Sequence, residues 1–161
     1  MIHRVILSPK DVAFALEIAN KRYLCHKNAQ NQQPGFKDAG VTPDRIGVTG
    51  ELCATKVHGG KMDTQALPDG DHHVGDIILA NNQIVEVKSR EYLGEDVEVI
   101  FSFEEYIHFT YVCLVQVQLP DIGMVHPIWS KDEVGPHTFR KDYGYGMRIA
   151  FRPCDLGKKQ C

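Results

Sequence analysis

Gly75-Asp76-Ile77-Ile78-Leu79-Ala80-Asn81-Asn82-Gln83-Ile84-Val85-Glu86-Val87-Lys88 decides how this chain is read. Two apolar runs flank an Asn-Asn-Gln turn, which is a β-hairpin signal. Folding at Asn81-Asn82 brings Asp76, early on the first strand, level with Glu86 and Lys88, late on the second. Side chains two apart on a strand share a face. Glu86 and Lys88 therefore point one way, and Val85 and Val87 the other. Two carboxylates and an ammonium gathered on a largely apolar hairpin are costly unless they have a task. A divalent metal held by the two acids, with the lysine beside it, supplies one.

The 161-residue chain is long enough for one domain with a sizeable core. Its 43% hydrophobic and 24% charged residues are the proportions of a soluble globular protein. No apolar run reaches the roughly 18 residues of a membrane span. The first residues, Met1-Ile2-His3-Arg4-Val5-Ile6-Leu7-Ser8-Pro9, are too short and polar for a signal peptide. Cys25, Cys53, Cys113, Cys154 and Cys161 are scattered without a Cys-x-x-Cys pair. That argues against structural zinc and for an intracellular, cytoplasmic protein with reduced thiols.

Charge is partitioned along the chain. Residues 1–61 carry nine Lys/Arg and five Asp/Glu, residues 62–130 two and twelve, and residues 131–161 seven and four. An acidic middle between basic ends suits a metal site flanked by phosphate-binding surface, or ordinary solvated faces.

Residues 2–7 read as a short strand. Ser8-Pro9-Lys10-Asp11 opens a helix, with Ser8 as N-cap and Pro9 in the first turn. Val12, Leu16, Ala19 and Tyr23 follow at helical spacing, and the helix ends at 25–28. Residues 28–40 read as an exposed loop. Thr42-Pro43-Asp44 opens a second helix by the same logic, with Ile46, Cys53 and Val57 as its buried stripe. Gly47, Gly50 and Ala54 surround Glu51 with small residues. Two glycines weaken a helix by roughly 1 kcal/mol each, so close approach to a packing partner is the expected compensation. Gly59-Gly60 ends the helix, and residues 62–71 form a polar connection.

The hairpin is expected over 72–90 and a third meander strand over 97–103. Residues 104–109 read as a short helix or a loop. Residues 111–117 are apolar almost throughout, as in a strand buried on both faces. Further strands are expected at 123–129 and 147–151, with one helical turn at 130–134. The order implies an α/β or α+β fold, a sheet with helices on its faces.

Gly50-Glu51 on a helix, Gly75-Asp76 on a strand and Glu86-Val87-Lys88 on the next resemble the PD-(D/E)XK nuclease superfamily, the restriction-endonuclease-like fold. The resemblance covers residues 43–118, with Ser89-Arg90 following the motif and Gly75 standing where the motif has proline. It implies one nuclease-like domain over 1–161, built on a helix, a three-stranded meander, a second helix and a further strand. It also implies a compact resolvase-like, homing-type or phage-encoded endonuclease that hydrolyses DNA phosphodiesters with Mg²⁺, or Mn²⁺ in its place, and acts as a homodimer or higher homo-oligomer. Glu51, Asp76, Glu86 and Lys88 become the catalytic set. Asp76, Glu86 and the Val87 carbonyl become metal ligands. Glu51 binds metal directly, through water, or at a second metal. Ser89 and Arg90 are candidates to contact DNA phosphate or else merely end the strand, and Lys56, Lys61, Arg140, Lys141, Arg148 and Arg152 either bind backbone phosphate or are simply solvated. The alternatives are a non-catalytic nucleic-acid-binding module on the same fold and a structural or partner-binding protein in which the motif is coincidental. His58, His72 and His73 lie near the proposed site as candidates for a softer metal such as zinc but lack paired ligand spacing, Cys53 is expected buried and inert, and Tyr143-Gly144-Tyr145-Gly146 reads as a turn.

Overall fold

The computed structural model describes residues 1–28, 41–64, 75–91, 94 and 97–156. The chain starts with strand β1 (His3–Ile6), followed by helices α1 (Pro9–Asn28) and α2 (Thr42–His58). Strands β2 (Lys61–Met62), β3 (Ile77–Ile78), β4 (Ile84–Glu91) and β5 (Val99–Phe101) lead to helix α3 (Phe103–His108). Strands β6 (Tyr111–Gln118) and β7 (Ile122–Ser130) precede a short helix, α4 (Lys131–Val134). Strands β8 (Phe139–Asp142) and β9 (Met147–Phe151) and a last turn, α5 (Pro153–Leu156), complete the described chain. Among the described residues no helix is long and apolar enough to cross a membrane.

The fold is mixed α/β. A six-stranded sheet runs β1-β7-β6-β4-β3-β2, and a three-stranded sheet runs β5-β9-β8. In the larger sheet β4 and β6 are parallel and every other pair is antiparallel. One face packs on α2: Val85, Val87, Cys113, Val115 and Val125 meet Cys53 and Ala54. On the other face Val112 and Leu114 meet Phe101, Phe109 and Phe151 beneath the smaller sheet. The β6 strand is thus buried on both faces, as its unbroken apolar run implies.

The hairpin forms as expected at its centre. Ile77 faces Val85 and Ile78 faces Ile84. Leu79 N–H donates to the Gln83 carbonyl at 2.9 Å, and Asn82 takes φ 62°. This is a three-residue loop closed by a left-handed residue, a conformation asparagine tolerates. The expected beginning of the hairpin, including His72 and His73, lies outside the described residues, as do most of the 28–40 loop and much of the 62–71 connection.

Three expectations need correction. The third strand of the meander is Lys61–Met62, not 97–103: β2 pairs with β3. The strand within 97–103 is β5, which joins the second sheet against β9. Val99 and Phe101 are fully buried there among aromatic rings. Their alternation marks a strand, but the choice of partner is set by distant residues. On α1 the buried stripe is Ala15, Ile18 and Ala19, while Leu16 is exposed. Small side chains let α1 lie against Val48 of α2, and the larger leucine is turned out. On α2, Thr42 is the first helical residue and Val41 the N-cap, without a side-chain cap bond. Ser8 does cap α1: its N–H donates to Asp11 at 3.1 Å, and Asp11 N–H donates to Ser8 Oγ at 3.2 Å.

The glycines of α2 do what their placement suggests. A Cβ on Gly50 would lie 2.9 Å from Ser89 Cβ and 3.4 Å from Val115 Cβ. The Ser89 hydroxyl donates to the Gly47 carbonyl at 3.3 Å. The helix is pressed onto β4 and β6, which carries Glu51 to the sheet end where Asp76 sits.

Candidate active site

Asp76 immediately precedes β3, and the register that pairs Ile77 with Val85 sets it opposite Glu86. Its carboxylate Oδ2 accepts the Val87 N–H at 2.6 Å. The N–H and C=O of one strand residue point to the same side, so the Val87 carbonyl faces the Asp76 side of β4. Asp76 also anchors the end of β2 through its own carbonyl, which accepts Asp63 N–H at 3.0 Å.

Val85 and Val87 are in the core beneath α2, and Glu86 and Lys88 lie on the opposite face of β4, as the alternation implies. Lys88 Nζ is 2.8 Å from Glu86 Oε1 and 2.8 Å from Glu105 Oε1. The ammonium sits 5.3 Å from the centre of the Phe101 ring. Glu105 belongs to α3, where it also accepts the Ser102 N–H in a capping box. That cap fixes the glutamate, and the glutamate in turn fixes the lysine.

Glu51 projects from α2 and is 4% exposed. Both its oxygens are taken by Arg22 of α1, with Nη1 at 2.6 Å from Oε1 and Nη2 at 2.8 Å from Oε2. Arg22 Nη2 also donates to the Asp63 carbonyl at 2.9 Å. Bidentate guanidinium–carboxylate pairs of this kind are strong and geometrically specific.

The electrostatics follow from this crowding. Burial pushes the Asp76 carboxyl well above the ordinary carboxylate range, and the negative charges of Glu51 and Glu86 push it further. The Val87 N–H and Lys88 pull it back only in part. Burial also raises Glu51, against the pull of Arg22. For Lys88 burial works against the charge, but Glu86 and Glu105 outweigh it and hold the ammonium above the ordinary lysine value. Lys88 is therefore a firm cation and a poor proton acceptor. It can orient water and oppose negative charge, but it is not poised to abstract a proton.

Among the described residues no three histidine, cysteine or carboxylate side chains converge as an enclosing metal cage. The donors on hand are instead two level carboxylates, Asp76 and Glu86, and the nearby Val87 carbonyl. Hard oxygens in that number suit Mg²⁺, which binds through one or two carboxylates and keeps several waters. A cation there would also favour the ionised form of Asp76.

The remaining expected residues divide by location. Ser89 is engaged beneath α2. Arg90 follows on the same face as Lys88 and is half-buried. Lys56 Nζ pairs with Asp11 at 3.0 Å, and Lys61 is exposed on β2. Around the second sheet Lys141 and Arg152 both bind Glu98, while Arg140 lies on the edge strand β8 and Arg148 on the central strand β9. His58 lies against β7, with Nε2 3.0 Å from the His126 carbonyl. Cys53 is fully buried, and Tyr143 to Gly146 link β8 to β9 as a turn.

Sequence reasoning passed over Arg22 and Glu105. Ala15, Ile18, Ala19 and Arg22 share one helical face by their spacing, which marks Arg22 as inward-facing. Ser102-Phe103-Glu104-Glu105 is a capping-box sequence, which marks both α3 and its glutamate. Compared with protein-family models, with curated proteins and with solved structures, the chain finds no match.

Proposed function

We propose that the protein is a Mg²⁺-dependent endonuclease of the PD-(D/E)XK type, hydrolysing DNA phosphodiester bonds. The observation that carries this reading is the level pairing of Asp76 with Glu86 across the hairpin, with Lys88 two residues along the same face. The strand order adds support. The chain runs α2, then the antiparallel β2, β3 and β4, then β5 of the smaller sheet, then α3, then β6 parallel to β4. Apart from the inserted β5, that is the sequence of elements in a restriction-endonuclease-like core.

In this reading Asp76, Glu86 and the Val87 carbonyl hold the ion. When bound, the ion lowers the pKa of a coordinated water and offsets charge on the phosphate. The protein's own contribution is position and charge. Asp76 is fixed by the Val87 N–H, and Glu86 by its strand and by Lys88. Lys88, gripped by Glu86 and Glu105, keeps its charge where negative charge develops on the phosphate. Glu51, neutralised by Arg22, closes the helix side of the cluster. Arg90 on the Lys88 face and the exposed Lys61 on β2 are the candidate backbone contacts. Cutting both strands of a duplex calls for two such sites, and hence for a homodimer.

The test is cleavage of supercoiled, linear and branched DNA by the purified protein with Mg²⁺ or Mn²⁺. Wild type is expected to nick at least one of these. Lys88→Ala is expected to lose about 10²–10³-fold in rate, the usual cost of one preorganised charge-stabilising group. No cleavage of any substrate, or full activity in Lys88→Ala, sinks the proposal. Metal-independent DNA binding without cleavage would mark a non-catalytic binding module instead.

A further inference from the structure

We propose that Arg22 is a built-in counter-ion that withholds Glu51 from metal, so that the site takes a single divalent cation on Asp76 and Glu86. This rests on the nuclease reading above and specifies its metal stoichiometry.

The geometry of the pair carries the inference. Arg22 takes both carboxylate oxygens of Glu51, at 2.6 and 2.8 Å, and leaves neither uncontested. A third bond, to the Asp63 carbonyl at 2.9 Å, ties the guanidinium to the strand end beside Asp76. The pair is enclosed, with side-chain exposures of 17% for Arg22 and 5% for Glu51. For Glu51 to join a metal shell, a buried guanidinium would have to lose its partner, which is costly. Arg22 also faces the charges of Asp76 and Asp63 as well as Glu51. It thus supplies a fixed positive charge on the helix side of the cluster, which opposes a second divalent ion there. Three acids would suit two ions, but with one acid already neutralised the two that remain suit one.

The placement is built into the sequence. Ala15, Ile18 and Ala19 bring α1 close to α2, and Arg22 continues that face. An arginine tolerated there only as a surface group would have been turned to solvent.

Mn²⁺ bound to the full chain without DNA, counted by electron paramagnetic resonance of the free ion, decides the matter independently of cleavage. Wild type is expected to bind one Mn²⁺ per chain, lost in Asp76→Asn. Arg22→Gln is expected to bind a second, because Glu51 is released. The charge-neutral double variant Arg22→Gln/Glu51→Gln removes the buried pair as a unit. It is expected to keep one Mn²⁺ at wild-type affinity, and it decides the question even if Arg22→Gln fails to fold. Two ions in wild type, one ion in folded Arg22→Gln, or loss of binding in the double variant overturns the inference while leaving the nuclease reading intact. No Asp76-dependent Mn²⁺ binding in wild type overturns both.

Discussion

Replacing Gly50 with alanine tests whether α2 is pressed onto the sheet as the site requires. In an open helix the change stabilises by about 1 kcal/mol through propensity. Here the new methyl would lie 2.9 Å from Ser89 Cβ, closer still to Ser89 Oγ, and 3.4 Å from Val115 Cβ. The hydroxyl can rotate away, but the Ser89 Cβ is fixed to the backbone of β4. Overpacking of this kind costs about 1–3 kcal/mol, and the backbone-bound contact puts Gly50 toward the upper end. The net expectation is a loss of about 1–2 kcal/mol, or about 2–4 °C in Tm for each kcal/mol in a chain of this size. Urea denaturation of wild type, Gly50→Ala, Ser89→Gly and the double variant measures it. Removing the Ser89 side chain makes room for the methyl, so the double variant is expected to be more stable than the two single losses sum to, by about 1 kcal/mol or more. A Gly50→Ala protein as stable as wild type, or a cycle without coupling, would refute the close approach that places Glu51 beside the hairpin.

Two other perturbations are well defined. Glu98 accepts from Tyr143 at 2.7 Å and pairs with Arg152 and Lys141, and these contacts hold its pKa down to about 2 against an ordinary 4.5. A lowered carboxyl pKa stabilises the fold above the ordinary value, and that stability is lost as pH falls through the folded one. Glu98→Gln is therefore expected to melt below wild type at pH 7, with the gap closing from pH 4.5 toward about 2; a gap that widens in acid would contradict this. Cys53 and Cys113 are fully buried, and burial raises both thiols to about 12, whereas Cys154 is exposed. A disulfide reagent at pH 8 is expected to label Cys154 in the native protein and Cys53 and Cys113 only after unfolding, as read by peptide mass spectrometry.

What could be read from the chain depended on how local its cause was. The hairpin was legible because turn chemistry and alternation both act within a few residues: Asn82 accepts a left-handed backbone, and Val85 and Val87 alternate with Glu86 and Lys88. The glycines around Glu51 were legible because their weakness in a helix demands a reason. The partner of β5 was not, since Val99 and Phe101 read equally well in either sheet, and Phe151, some fifty residues on, decides. The true third strand of the meander, β2, is two residues long and carries no pattern. Arg22 shares the inward face of Ala15, Ile18 and Ala19, but which carboxylate it meets is set by the contact of α1 with α2 and has no local signal.

The most direct measurement of the central claim is the anomalous map of a crystal soaked in Mn²⁺. The account predicts one peak between the carboxylates of Asp76 and Glu86, near the Val87 carbonyl, within direct coordination distance of both carboxylates. Lys88 is expected beside the peak and Glu51 still held by Arg22. A fully soaked crystal with no peak between Asp76 and Glu86 would contradict it.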